Sequence, residues 1–148
     1  MKYTLFLGCT IPVRSQNYEM SARNVAKKLG INLIDIDEFS CCGFPVKSTS
    51  TETALVIAAR NLAIAGEKKL EICTLCNACT GVLTEANKHL SENKELRDKI
   101  NEELKNYDKE FKKGVKIRHY DRILYEDIGP EKIKDNISKN LNNLRVSV

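Results

Sequence analysis

Five of the six cysteines in this 148-residue chain fall in three places: Cys9 alone, the adjacent pair Cys41 and Cys42 followed by Gly43, and the pair in Cys76-Asn-Ala-Cys79. Thiolates of this kind ligate zinc or iron, or act as nucleophiles toward disulfides. Zinc takes four sulfurs in a tetrahedron, commonly from pairs separated by about two to four residues. Only Cys76 with Cys79, or Cys73 with Cys76, makes such a pair, and an adjacent Cys-Cys is awkward in a tetrahedron. An iron-sulfur core spreads its ligands over a wider shell. Ordinary clusters use four thiolates, so a fifth implies an unusual core with one bridging sulfur. On spacing alone iron-sulfur fits best, while zinc and free redox thiols stay open.

These thiols need elements to position them. Short apolar runs at 3–7, 33–36 and 70–75 precede the three cysteine places and read as buried strands. If the runs lie parallel in one sheet, all five thiols emerge at its C-terminal edge, where open α/β sheets bind ligands. Helical spacing of Met20, Ala22, Val25, Ala26 and Leu29 predicts a helix over 17–29, stopped by Gly30. A second helix is predicted from Thr51, with Ala54, Leu55, Ala58, Leu62 and Ala65 inward and Gly66 at its close. A third runs around 81–90, with the Cys76–Cys79 turn leading into it. Strand, helix, strand at these lengths favours right-handed parallel crossovers.

Neighbouring residues on a regular strand point to opposite faces. Cys41 and Cys42 can serve one centre only on a bent backbone, for which Gly43 and Pro45 provide. The surrounding loop, 37–50, is the longest candidate for motion. Farther on, Leu96, Ile100, Leu104, Tyr107 and Phe111 predict a long helix ending at Gly114. Residues 115–120 alternate as a fourth strand, 122–126 read as a short helix, and Pro130 starts another with Ile133 and Ile137 inward. The run 144–148 reads as a fifth strand. A chain stopping on a β segment is expected to be one unit of a longer subunit or complex.

The expectation is a single α/β domain over 1–148, Rossmann-like, with a central mainly parallel sheet of about four or five strands flanked by helices. Gly8, Gly43 and Gly81 form no dinucleotide fingerprint. The 24 basic and 20 acidic residues leave +4, spread along the chain. Clusters such as Lys68-Lys69 and Lys112-Lys113 neighbour acids and read as solvated surface, not as a nucleic-acid face. No run approaches the roughly 20 apolar residues of a membrane span, and no signal-peptide pattern opens the chain. A cytoplasmic protein is expected. Cysteines clustered there more often hold metal or do redox chemistry than staple a core.

Cys73, inside a strand, reads as a core residue. His89 and His119 sit beside no cysteine motif and read as structural. Arg14 faces either an anionic substrate or a surface acid. Tyr18, Tyr107, Tyr120 and Tyr125 read as core edges.

A resemblance extends this picture. Gly8-Cys-Thr-Ile-Pro-Val-Arg14, Glu38-Phe-Ser-Cys-Cys-Gly-Phe-Pro45, Ala58-Ala-Arg-Asn-Leu62, Leu75-Cys-Asn-Ala-Cys79 and Leu124-Tyr-Glu-Asp-Ile-Gly129 resemble the first half of the heterodisulfide reductase B subunit, of the cysteine-rich CCG domain family. Related domains occur in thiol:fumarate reductase, glycolate oxidase and glycerol-3-phosphate dehydrogenase subunits. The resemblance implies a noncubane [4Fe-4S] cluster held by Cys9, Cys41, Cys42, Cys76 and Cys79, with Cys41 or Cys42 bridging. It implies reduction of the coenzyme M–coenzyme B disulfide, the last step of methanogenesis. It also implies A and C partner subunits and a second CCG domain, in cis or in trans. This sequence lacks that second domain, so half the reaction centre is expected to bind a cluster yet turn over little.

Overall fold

The computed structural model describes residues 1–139 and Arg145. Four strands, β1 (Lys2–Phe6), β2 (Asn32–Asp35), β3 (Ile72–Thr74) and β4 (Ile117–His119), form one sheet in the order β2-β1-β3-β4. Every pairing is parallel, with Tyr3 opposite Leu33, Leu5 opposite Cys73 and Cys73 opposite Arg118. The α/β expectation of a parallel sheet flanked by helices therefore holds, with four strands among the described residues. The predicted fifth, 144–148, lies outside them except for Arg145.

Alternation along β1 builds two cores, because successive strand side chains point to opposite faces. Tyr3 and Leu5, with Cys73 and Leu75, pack against Ala22, Ala26 and Leu29 of α2 (Gln16–Leu29) and against Tyr120 and Ile123. Phe6 and Ile72 pack the other way, onto α3 (Thr51–Lys68), α4 (Asn77–Glu92) and α5 (Lys94–Leu104). Small residues at Ala58, Ala59 and Ala65, fully buried beside Leu62, let α3 lie close to the sheet.

The chain leaves β1 toward β2, then crosses back to place β3 on the other side of β1. The strand order reverses between β1 and β3, and a crevice opens outside their C-terminal ends.

Several local expectations are corrected. In α2, Met20 and Val25 are exposed, and the buried face narrows to Ala22, Ala26 and Leu29. Gly30 does end α2, at φ 77°, with its N–H on the Lys27 carbonyl. Gly66 does not close α3: the helix runs to Lys68, and Lys69 takes the left-handed turn at φ 55°. The long helix to Gly114 is absent. Asn93 caps α5 through the Leu96 N–H, and the helix ends at Leu104 with a 3-10 turn, Lys105–Tyr107. Asp108 then turns left-handed, at φ 54°. Phe111 still reaches the core, because Asn101 accepts from its N–H (2.9 Å) and donates to its carbonyl (3.2 Å). Its helical spacing from Leu104 reported burial, not helix.

Beyond β4, the predicted helix 122–126 is replaced by α6 (Tyr120–Ile123) and a π-turn, Leu124–Ile128. Pro130 begins α7 (Pro130–Asp135), where Ile133 packs inward, while Ile137 falls beyond the helix end and is exposed. Of the tyrosines expected at core edges, only Tyr120 is buried, its hydroxyl donating to the Ala22 carbonyl (3.1 Å); Tyr18, Tyr107 and Tyr125 are exposed. Tyr3 is the other buried phenol. Lys69, Lys112 and Lys113 share a groove of about 670 Å³ with Glu67, Asp108 and Glu110, a mixed-charge surface that no cysteine lines.

Candidate metal centre

Each cysteine place follows the C-terminal end of a strand. After β1, Gly8 at φ 69° turns the chain to the exposed Cys9, and α1 (Ile11–Arg14), with Pro12 in its first turn, carries it away. After β2, the loop bends at Gly43, φ 95°, into a 3-10 turn, Phe44–Val46. After β3, Cys76 is the extended N-cap of α4, so Cys76 and Cys79 straddle its first turn. This helix begins at Asn77, a turn earlier than predicted. Free N–H groups and the positive dipole end there favour thiolate or sulfide.

The three loops converge. Cys9 and Cys41 stand with their sulfurs 3.7 Å apart, although 32 residues separate them. Cys42 faces Cys79, and Cys79 in turn faces Cys76, each pair in thiol–thiol contact. Gly8 admits this approach: a Cβ there would stand 2.8 Å from Cys79 Sγ. The sulfurs thus form a string, Cys9, Cys41, Cys42, Cys79, Cys76, running from exposed to buried and back to half-buried. Among the described residues, no three His, Cys, Asp or Glu side chains close on one point that would hold a single ion.

Backbone donors point into the string. The Gly43 N–H lies 3.5 Å from Cys41 Sγ, and the Phe44 N–H is turned toward Cys42. Contact with Cys79, then the Phe44 N–H and the Cys41 side chain, brings the Cys42 thiol down to about 6, against the burial that opposes ionisation. The Cys79 thiol is pushed up by its contact with Cys42 and by burial. Burial also raises Cys41. Like charges crowded in one nest oppose one another, so a cation among the sulfurs favours their thiolate forms.

The floor is tied down. Thr80 donates to the Cys76 carbonyl through both its N–H (2.9 Å) and its hydroxyl (3.0 Å), and that hydroxyl is 2.6 Å from the buried Thr74 hydroxyl. The 37–50 loop, expected to be the mobile one, is fastened to α3: Arg60 donates to the Glu38 carbonyl (2.8 Å) and Asn61 binds Ser40 and Cys41. Asn61 escaped the sequence reading as a functional residue, although its place on the inner face of a small-residue helix was a signal.

The remaining candidates keep to the side. Cys73 is wholly buried on the α2 face, and burial raises its thiol to about 12. His119 caps α6, its Nδ1 accepting from the Asp121 N–H (3.4 Å), and His89 is exposed beside Glu85. Arg14 is exposed in the last turn of α1, with no ion pair among the described residues.

The donor set fits a multi-iron centre. All five donors are soft, they are spread in a string instead of grouped around a point, and amide hydrogens accompany them.

Fold and thiols define a parallel α/β domain with a cysteine nest at its topological switch point. Residues 3–84 match the cysteine-rich domain CCG, and the chain belongs to that family. It is 39% identical, over its full length and 50% of the relative's, to a heterodisulfide reductase B-subunit-like protein of Archaeoglobus profundus. To the B subunit of the ferredoxin:CoB-CoM heterodisulfide reductase of Methanosarcina mazei it is 35% identical over 93% of this chain and 46% of that one. The 8-methylmenaquinol:fumarate reductase membrane anchor subunit of Wolinella succinogenes is 29% identical over 99% of this chain and 51% of its own. In structure, a hypothetical protein from Helicobacter pylori superposes with a TM-score of 0.74 at 25% identity, over 84% of this chain and 25% of that one. The chain spans about half the length of the curated relatives it matches. No helix among the described residues is long and apolar enough to cross a membrane.

Proposed function

We propose that the chain holds a noncubane [4Fe-4S] cluster on Cys9, Cys41, Cys42, Cys76 and Cys79, as one half of the B subunit of a CoB-CoM heterodisulfide reductase. The observation that carries this reading is the convergence of three loops on one string of five sulfurs. The cluster, when bound, supplies electrons to a substrate sulfur and a site for the thiolate released. The protein's own part is to orient the ligands, aim the Gly43 and Phe44 N–H groups at sulfur, and leave the Cys9 end open to the small-molecule disulfide.

A second CCG domain, in cis or in trans, completes the reaction centre, because each of the two substrate sulfurs needs its own electron and its own iron. The A and C subunits deliver electrons to it, and the complex is cytoplasmic and serves methanogenesis. A second reading, a CCG electron-transfer subunit of another oxidoreductase, draws on the fumarate reductase relative. A zinc module draws less support, since the thiols do not gather around one point.

Anaerobic reconstitution with iron and sulfide tests the proposal. It should give about four irons and four sulfides per chain, the content of a [4Fe-4S] centre. Zinc without sulfide in anaerobically prepared protein would refute it. Combining the loaded chain with the A and C subunits and the complementary CCG half should restore cleavage of the coenzyme M–coenzyme B disulfide, and cleavage of a different substrate instead would favour the second reading.

A further inference from the structure

Asn61 is wholly buried in the middle of α3, one helix away from any cysteine motif in sequence. A primary amide offers one acceptor and two donor hydrogens. Here Oδ1 accepts from the Ser40 N–H (3.0 Å), while Nδ2 donates to the Cys41 carbonyl (2.9 Å) and to the Ile57 carbonyl of its own helix (3.0 Å). Two of these bonds grip the peptides on either side of the Ser40-Cys41 pair. Next to it, Arg60 holds the Glu38 carbonyl, two residues upstream of Ser40. On the far side, Gly43 packs so closely on α3 that a Cβ would meet the Ala54 carbonyl at 2.7 Å.

We infer that Asn61 is the positioning residue of the centre: it fixes the peptide planes around Cys41 and so sets both where the Cys41–Cys42 pair stands and where the following N–H groups aim. The Gly43 and Phe44 amides reach Cys41 and Cys42 only with that backbone geometry. N–H groups directed at sulfur stabilise the extra negative charge of a reduced cluster, so their alignment raises its potential. The redox half of this inference rests on the iron-sulfur reading; the geometric half does not. Asn101 supplies a matched comparison, since it clamps Phe111 through the same pair of backbone bonds, on a loop that carries no cysteine.

The test compares Asn61→Asp, Asn61→Ala, Arg60→Met and Asn101→Ala in the full chain. Asp keeps the size of Asn but turns oxygens toward two carbonyls, and Arg60→Met keeps the stem, so a folded variant is at hand if Asn61→Ala fails to fold. In the metal-free chain, oxidised glutathione joins Cys9 to Cys41; each bond formed consumes one glutathione disulfide and releases two glutathione thiols. That rate should fall several-fold in Asn61→Asp, fall less in Arg60→Met, and stay at the wild-type value in Asn101→Ala. In the reconstituted chain, the midpoint potential of Asn61→Asp should shift to more negative values and chelators should strip its iron several-fold faster, while Asn101→Ala lowers the melting temperature and moves neither. Wild-type cross-linking rates in Asn61→Asp, or equal changes in Asn101→Ala, would overturn the inference. A wild-type chain that takes up no iron and sulfide would instead sink the proposed function, and the cross-linking rates alone would then decide the role of Asn61.

Discussion

Gly8 and Cys79 touch: a Cβ on Gly8 would stand 2.8 Å from the Cys79 sulfur. A side chain at position 8 is doubly excluded, because the residue also sits at φ 69°, where L-residues are strained. Gly8→Ala should destabilise the metal-free chain by about 1–2 kcal/mol from backbone strain, measured by denaturant unfolding. Beyond that loss, it should displace Cys79 and lower the iron bound per chain after reconstitution. Wild-type iron content would show that Cys79 is not a ligand.

Cys73 and Cys42 should separate cleanly. Cys73→Ala removes a buried sulfur on the α2 face and should cost about 1 kcal/mol, with iron and sulfide content unchanged. Cys42→Ala should abolish the cluster absorbance. In the metal-free native chain, thiol reagents should modify Cys9 quickly and leave Cys73 protected, since Cys9 is exposed and Cys73 is buried with its thiol raised to about 12. Peptide mapping after a timed pulse reads both.

Mild oxidation of the metal-free chain should join Cys9 to Cys41 before any other pair. Their sulfurs are 3.7 Å apart, and a bond of about 2.05 Å needs only a small closing movement at the exposed end of the string. Non-reducing mass spectrometry of digests identifies the pair.

The base of the α2 face carries a charged knot. Arg118, nearly buried on β4, donates to Glu71 (2.7 Å) and Asp127 (2.7 and 2.8 Å), and the Tyr3 hydroxyl bonds Asp127. Arg118→Met should destabilise by about 3 kcal/mol, because it strands these acids. The Arg118 guanidinium, then the Tyr3 hydroxyl, hold Asp127 down at about 2. A carboxyl lowered on folding contributes stability that is present above its unfolded value of about 4 and is lost as pH falls from there toward 2. Burial, then Asp127, raises Tyr3 to about 12. That contribution is present below about pH 10 and is lost as pH rises from 10 toward 12. Unfolding titrations should show both flanks, and Asp127→Asn should flatten the acid one.

The chain alone determined the four strands of the described sheet, the cysteine pattern and the α/β class, because alternation and clustering are local properties written residue by residue. It fixed Gly30 as a stop and Cys73 as core for the same reason. Local spacing failed at Phe111, where burial came from an Asn101 clamp instead of a helix, and at Met20 and Val25, where α2 presents a narrower face than its apolar residues suggest. Tertiary structure alone decided the order β2-β1-β3-β4, which places the reversal between β1 and β3 and so brings three distant loops to one crevice. Only packing could set Cys42 against Cys79, which lie on separate connections, or Asn61 beneath Cys41, where the loop after β2 folds back on the helix that follows it. Their distances depend on how helices seat on the sheet, a property of the assembled layers that no short stretch of sequence carries.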